Sequence, residues 1–500
     1  MTAEAPPETP EVPWRRLSWR MLAVNAKWLV PPVLSVAVYA VFTGGNLGKE
    51  AFTRLGILTG IFVLVLLGET VDVLTTRFRV TGERFELRRG VLARRHKSIP
   101  LDRVRRVDVT ANPLHRMLGL VVLRVGTGQR QDGEELKLAA LRKDEAERLR
   151  AGLVTGSGEP RRGAGVLAEL RWSWLRYSPL TVTGVLGIAI LAGAGIRALE
   201  VFGIRPNDVF AWVRGLFGEL ELWKVLAVLA AGLIVLGVLG CLVAFADEWW
   251  GYRFERAEDG AFHVRRGLLT KRNLSLDESR VRGVELVETM LMRSAGAARV
   301  DLISSGMDAE PGEGPRLKSV TPAVPAAEAN RIVAEIVGES PPPTAEAWLE
   351  PHPKAALRRR RLRAVLVVLV PAAVLALVGA LVQPVLVAVA AVAAVALVPV
   401  ALLLAADAYR ALGHRVRGRY LVVRAGTADR RTVALRRDGV LAMTIRRSPT
   451  QRLSGLATVV VATSAGKGAA YLIRDAGFDG ALAVADETVP GLWSPFVRRG

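Results

Sequence analysis

Apolar residues gather in six long stretches: Trp28–Thr43, Leu55–Leu74, Pro179–Ile196, Val225–Ala246, Arg363–Val382 and Pro384–Ala406. A helix crossing a bilayer needs about 20 such residues, and these stretches reach or approach that length. Val225–Ala246 and Pro384–Ala406 are apolar on every face, which a helix packed on one side of a soluble core is not. The pattern therefore predicts six transmembrane helices in three pairs, the last pair closed into a tight hairpin by Gln383-Pro384. Glu69 and Asp72, Asp247 and Glu248, and Asp407 lie near the ends of the second helices, within reach of water.

Each pair is followed by a segment with a different period. Val104, Val107 and Val109 sit among Arg and Asp in near-alternation, as on a half-buried strand. The runs Leu120–Val125 and Ala457–Ala462 are β-branched and of strand length. Leu141, Ala146, Leu149 and Leu153 predict a closing amphipathic helix for the first segment, and Ala329, Ile332, Val333 and Ile336 one for the second. The stretch after Ile473 carries no clear helical pattern.

The three segments are repeats of one another. Gly90, Gly267 and Gly426 are each followed 29 residues later by a second glycine, Gly119, Gly296 and Gly455. Arg116, Arg293 and Arg452 precede that second glycine by three. Apolar positions recur in register between them: Ile99, Leu276 and Leu435; Val107, Val284 and Met443; Val109, Leu286 and Ile445. The first glycine of each set falls between two strand-like pieces, where positive φ at a turn calls for it. The three arginines are expected to be structural, bonding carbonyls or an acid at equivalent places.

Charge sets the expected orientation. Of 68 Lys and Arg, only Lys49, Arg54, Arg197, Arg205, Arg214 and Lys224 lie in the loops within pairs. The positive-inside rule then places both termini and all three β-segments in the cytoplasm, in a multi-pass protein of the cell membrane. The acidic, proline-rich start lacks the basic region of a signal peptide, so the first span is expected to remain as an anchor. The stretches Trp14–Arg20 and Leu170–Tyr177 pair Trp with Arg, as residues of the headgroup zone do.

The domain division that follows is 1–76 for the N-terminal segment and first helix pair, and 77–154 for the first β-domain. Residues 155–250 hold a linker and the second pair, 251–338 the second β-domain, 339–408 a linker and the third pair, 409–485 the third β-domain, and 486–500 a tail. The architecture is an α + β membrane protein of three helix hairpins, each followed by a small antiparallel β-domain. A helix pair followed by a β-domain with a central Gly-Leu-Leu, a strand ladder and an Arg-x-x-Gly ending resembles the bacterial pleckstrin-homology-like (PH-like) domain. Three copies on six spans resemble the YdbT-like membrane proteins. The resemblance covers the chain from about Trp14 to about Asp475. It implies for each copy a seven-stranded, strongly bent sheet capped by one helix, and it brings no assigned chemistry.

Candidate chemistry is sparse. The chain is 51% apolar yet carries a net charge of +21, which excludes a simple soluble enzyme and a disordered chain. Its one cysteine, Cys241, lies in an apolar run and reads as filler. His96, His115, His263, His352 and His414 show no metal-ligand spacing. No nucleotide-binding or nucleophile motif is present; Ser464-Ala-Gly-Lys467-Gly lacks the upstream glycine of a P-loop. No catalytic residue, metal or cofactor is expected. What remains is basic charge at the hairpins: Arg88, Arg89, Arg94, Arg95 and Lys97; Arg265, Arg266, Lys271 and Arg272; Arg430 and Arg431. Cations held near the inner leaflet gain about 1 kcal/mol each from anionic lipid, so these form the candidate contact set for lipid or a protein partner. A solvated hairpin tip is the bland alternative, and nucleic acid is not expected. The expected role is a membrane-anchored scaffold or interaction module, not an enzyme, with lipids, an unknown protein or self-association as partners and envelope maintenance as a conceivable setting. A transporter or channel component is the alternative.

Overall fold

The computed structural model describes residues 13–33, 49–81, 84–90, 95–100, 106–126, 135–142, 144–146, 148, 165–181, 187, 193, 222–258, 260–304, 319–345, 349–463 and 470–490. The chain forms two compact units, residues 1–170 with 183–279, and residues 171–182 with 280–500.

In the first unit, helix α1 (Lys49–Thr75) leads into strands β2 (Arg77–Val80), β3 (Arg84–Arg89) and β4 (Arg95–Pro100), and a short strand β1 (Arg15–Arg16) pairs with β2. Strands β5 (Arg106–Ala111), β6 (Leu120–Gly126) and β7 (Glu135–Arg142) form a second antiparallel layer, with a one-turn helix α2 (Pro113–Met117) between β5 and β6. Phe78, Phe85 and Ile99 from the first layer and Leu123, Val125 and Leu138 from the second are buried in one core. Each such side chain contributes about 1.5–3 kcal/mol on leaving water.

The second layer does not end at β5. After β8 (Gly165–Glu169) and helix α3 (Leu222–Trp249) come β9 (Arg253–Arg256), β10 (Ala261–Arg266) and β11 (Lys271–Asp277), and β11 pairs with β5. One seven-stranded sheet thus joins the second half of copy one to the first half of copy two.

The second unit repeats this device. Strands β12 (Val281–Thr289), β13 (Ala297–Ser304) and β14 (Val324–Pro325), with helices α4 (Met290–Ser294) and α5 (Ala326–Val337), are the second half of copy two. Helices α6 (Lys354–Val382) and α7 (Val385–Arg410) precede β15 (Gly413–Arg417), β16 (Tyr420–Ala425) and β17 (Asp429–Arg436). Strand β12 pairs with β17, giving a six-stranded sheet. Strands β18 (Val440–Arg446), β19 (Leu456–Thr463) and β20 (Ala470–Gly477) form a separate three-stranded layer, with helix α8 (Pro449–Leu453) between the first two and helix α9 (Phe478–Thr488) after the last. Leu421, Val433, Val459, Val461 and Ile473 share the core between the two layers of copy three.

The expectation of one self-contained sheet per copy is therefore corrected: two of the four sheets are shared between consecutive copies. The physical reason is the turn between the halves. A 3-10 turn at Glu278–Arg280 separates β11 from β12, with Asp277 accepting from the Ser279 amide at 2.8 Å, and another at Arg437–Gly439 separates β17 from β18. Beyond each turn the chain enters a different sheet: β11 and β12 belong to different sheets, as do β17 and β18.

Both shared pairings use one register. Leu276 faces Arg106, and their repeat equivalents Leu435 and Gly283 face each other in the same way. Gly283 is required there: a Cβ would lie 2.3 Å from the Ala434 carbonyl oxygen.

Among the described residues three helices, not six, are long and apolar enough to cross a membrane: Ala230–Trp249 within α3, and α6 and α7 in full. The expected span Leu55–Leu74 lies inside the helix α1. Pro179 and Leu180, expected to open the third span, instead end a 3-10 segment, Trp172–Leu180, that turns extended at Thr181. Most of Trp28–Thr43 and of Pro179–Ile196 lies outside the described residues, as do Leu149 and Leu153 of the first closing helix and Val104. Helix α6 meets α7 through the extended Gln383, and Gly379 allows the approach, since a Cβ there would lie 2.8 Å from the Val387 amide. Trp174 is buried in protein and Trp14 lies against the Arg79 and Arg88 guanidinium groups, so these two tryptophans serve domain packing.

Gly283→Ala is expected to force β12 and β17 apart and lower stability by about 1–3 kcal/mol, the usual range for overpacking. The check is the thermal unfolding midpoint of the detergent-solubilised chain. Gly60→Ala, in a helical position with nothing within 4 Å, serves as the neutral control.

Candidate functional site

The hairpin glycines are equivalent in conformation: Gly90, Gly267 and Gly426 have φ of 103°, 106° and 119°. At Gly426 a Cβ would meet the Asp429 carbonyl oxygen at 2.1 Å, so both the turn and its closeness demand glycine. Gly119, Gly296 and Gly455 share φ of 65–68°. Each ends a one-turn helix whose N-cap is Asn112, Thr289 or Ser448, again equivalent positions.

The arginines three residues before these second glycines act between copies. The Arg116 guanidinium donates to the Leu268 carbonyl at 2.8 Å, and Arg293 donates to the equivalent Thr427 carbonyl at 3.4 Å. The short helix of one copy thus holds the hairpin tip of the next. Arg452 occupies the same position in α8.

The basic hairpin residues are distributed unevenly. Arg88 stacks on Trp14 at 4.2 Å and donates to His96 Nδ1 at 3.2 Å. Arg89 grips Asp72 through two hydrogen bonds. Arg95 lies in β4 opposite Arg89, Lys97 is half-buried opposite Leu87, and Arg94 lies outside the described residues. Arg265 approaches Glu255 at 3.7 Å, while Arg266 is buried over Trp249 at 4.2 Å with Glu248 at 3.9 Å. Lys271 and Arg272 sit in β11 opposite Ala111 and Thr110. Arg430 makes two 2.9 Å bonds to Glu288, and Arg431 donates to Glu285 at 2.9 Å. The third pair is therefore committed to the β12–β17 junction.

The carboxylates at the helix ends explain why acids stand there. Asp72 takes Arg89; Asp247 accepts the Leu269 amide at 2.8 Å; Asp407 takes Arg293 at 2.8 Å. Each ties the last turn of a long helix to a hairpin or to the arginine that holds one.

Around α6 the side chains build a site that sequence reading missed. Asp475, in β20 with φ of 59°, is buried and accepts from Arg359, from Arg360 at 3.4 Å and from Gln451 at 3.0 Å. Its carbonyl oxygen takes His352 Nδ1 at 3.1 Å, and His352 Nε2 lies 2.9 Å from His414 Nδ1. A consistent proton assignment has each imidazole neutral, His352 donating to the carbonyl and accepting from His414. Burial, followed by the neighbouring His414, lowers the His352 pKa to about 4. Next to this node opens a groove of about 650 Å³, lined by Arg359, Arg360, Arg363 and Arg474 and by apolar residues that include Val367 and Leu404. No single segment announces it, because residues 359–368, 401–408 and 474–475 meet only in the fold. Among the described residues no cluster of three or more metal-ligating side chains occurs.

Asp475→Ala is expected to cost about 3–5 kcal/mol, since it leaves the buried Arg359 charge uncompensated. The double change Arg359→Met with Asp475→Ala should recover much of that loss in thermal unfolding.

A group with a lowered folded pKa lends stability above its unfolded value and loses it as pH falls. His352 should therefore contribute fully above pH ~6.5 and fade towards pH ~4, a change of about 3 kcal/mol. The unfolding midpoint measured across that window should flatten in His352→Gln.

Comparison with known proteins completes this picture. No curated protein and no solved structure matches the chain. The family model for the bacterial PH domain matches three times, over residues 32–154, 189–339 and 365–487. Each match takes in a long helix and the β-segment after it, the same unit that the glycine spacing defines. The chain belongs to the bacterial PH domain family and carries three copies of its domain.

Proposed function

We propose that the protein is a multi-pass membrane scaffold that holds three PH-like domains against the cytoplasmic face of the cell membrane, with both termini inside. The observation that carries this reading is the recurring clasp at the helix ends, Asp72 to Arg89, Asp247 to the Leu269 amide and Asp407 to Arg293. A domain tied to the last turn of an apolar helix cannot drift from the bilayer, which suits a platform and not a freely tethered module. The orientation is supported by the scarcity of Lys and Arg in the loops within pairs. The first hairpin is the surface contact in this reading. Its Arg95 and Lys97 lie in β4, the edge strand of its sheet, whereas Arg430 and Arg431 are engaged by Glu288 and Glu285. Its partner is anionic headgroups or an acidic protein surface, and the cellular task is upkeep of the envelope.

A topology reporter fused after Gly500 should be active only in its cytoplasmic form, with the protein resisting carbonate extraction from membranes. Replacing Arg94, Arg95 and Lys97 by Gln in the full chain should lower cross-linking of a photoactivatable anionic lipid to the first copy at low salt. It should leave the residual high-salt level unchanged, because the contact is screened over about 8 Å at physiological salt. An outward-facing C-terminus would overturn the scaffold topology.

A further inference from the structure

The groove beside α6 and α7 has a charge balance that its own residues do not close. It is lined by four guanidinium groups and a single carboxylate, Asp475. That carboxylate is engaged by Arg359 and Gln451. Arg360 reaches its second oxygen only at 3.4 Å, and the Arg360 Nε is buried with no hydrogen-bond partner. Arg474 repels Arg360, and Arg363 repels Arg359, so the cations crowd one another with no further acid among the lining residues. Arg363 and Arg474 are both exposed. A buried donor without a partner costs about 1–3 kcal/mol, and an anion that accepts from it removes that cost.

Most of the remaining lining is apolar. The basic run of α6 ends at Arg363, and Val367 lies one helical turn further on, about 6 Å along the axis. Leu404 of α7 faces the same space. Charge and hydrocarbon are thus stacked along the helix axis in the order of a lipid's phosphate and its acyl chain. The volume of about 650 Å³ falls within the range of small-molecule sites, roughly 300–1,000 Å³.

We propose that this groove is a binding site for one anionic phospholipid. The phosphate is held by Arg360, Arg363 and Arg474, and the upper part of one acyl chain lies against Val367 and Leu404. A phosphate oxygen accepts from the Arg360 Nε, which gives that group its missing partner. The site is distinct from the basic hairpin residues, none of which lines it, and it selects by shape as well as by charge. It rests on reading α6 and α7 as a membrane-spanning pair.

The test uses the full chain, reconstituted in nanodiscs of phosphatidylglycerol or of phosphatidylcholine, then released into mild detergent and weighed intact by native mass spectrometry. One phosphatidylglycerol adduct per chain should survive release, and no phosphatidylcholine adduct. In Arg363→Gln with Arg474→Gln, retention should fall about tenfold or more, the loss expected for two charge-assisted hydrogen bonds. The thermal midpoint of lipid-free protein should stay unchanged in that variant. Leu404→Trp, which fills the apolar part, should lose the adduct with the arginines intact. Inorganic phosphate added at release should not displace the lipid; displacement would reassign the groove to a soluble phosphate and overturn the lipid assignment. Equal retention of the two lipids, or an adduct untouched by the paired Gln changes, would also overturn it. Carbonate extraction run in parallel separates the two readings. A protein that resists extraction yet retains no lipid sinks only the groove, whereas a protein released by carbonate sinks the spanning helices themselves.

Discussion

The pairing of β5 with β11 and of β12 with β17 is the constraint from which most of this structure follows. An edge strand with unmatched amides and carbonyls is an invitation to pair, and in copies two and three a 3-10 turn separates the strands of one sheet from those of the next. The chain matches such edges internally, in one register, twice. That register places Glu285 and Glu288 against Arg431 and Arg430, fixes Gly283 as a position with no room for a side chain, and brings the second and third hairpin tips under the short helix of the copy before them.

The long helices are coupled to this β-framework by charge and not by apolar packing alone. The carboxylate of Asp72 takes two hydrogen bonds from Arg89, a bidentate geometry that holds direction as well as distance, while Asp247 and Asp407 each accept one bond from an amide or an arginine. The same logic appears at the start of α6, where Asp475 gathers Arg359, Arg360 and Gln451 and, through its carbonyl, the neutral imidazole pair of His352 and His414. The interior of copy three is thereby wired to the helix pair that precedes it in sequence.

What could be read from residue order alone follows from which forces are local. The 29-residue glycine spacing was legible because positive φ is a property of single positions, and so were the alternating strands and the helix α5, whose buried face is Ile332, Val333 and Ile336. Helix α9 was not legible: its buried positions are Ala481, Val484, Ala485 and Thr488, too small and too mixed to stand out as an apolar stripe. The choice of strand partner was also hidden. β4 and β5 are neighbours in sequence, and nothing in their side chains says that β5 will pair with a strand more than 150 residues away. The six apolar stretches were read by length and composition, and the described helices support three of them as spans. Asp475 gave no signal, since a lone acid in a strand becomes a hub only when distant arginines arrive beside it.

The joint between modules falls in the middle of the sequence repeat, half a period out of phase with it, and this governs how such a chain can change its number of copies. Deleting copy three would strip β12 of β17 and leave Glu285 and Glu288, each less than a tenth exposed in the intact chain, facing water without their arginines. Adding a copy after it would require three leading strands able to dock on β18, whose edge ends in Arg446 and not in an acid. Heredity in this architecture is thus carried by complementary half-repeats: growth by duplication must rewrite the chemistry of an edge before it can lengthen the array.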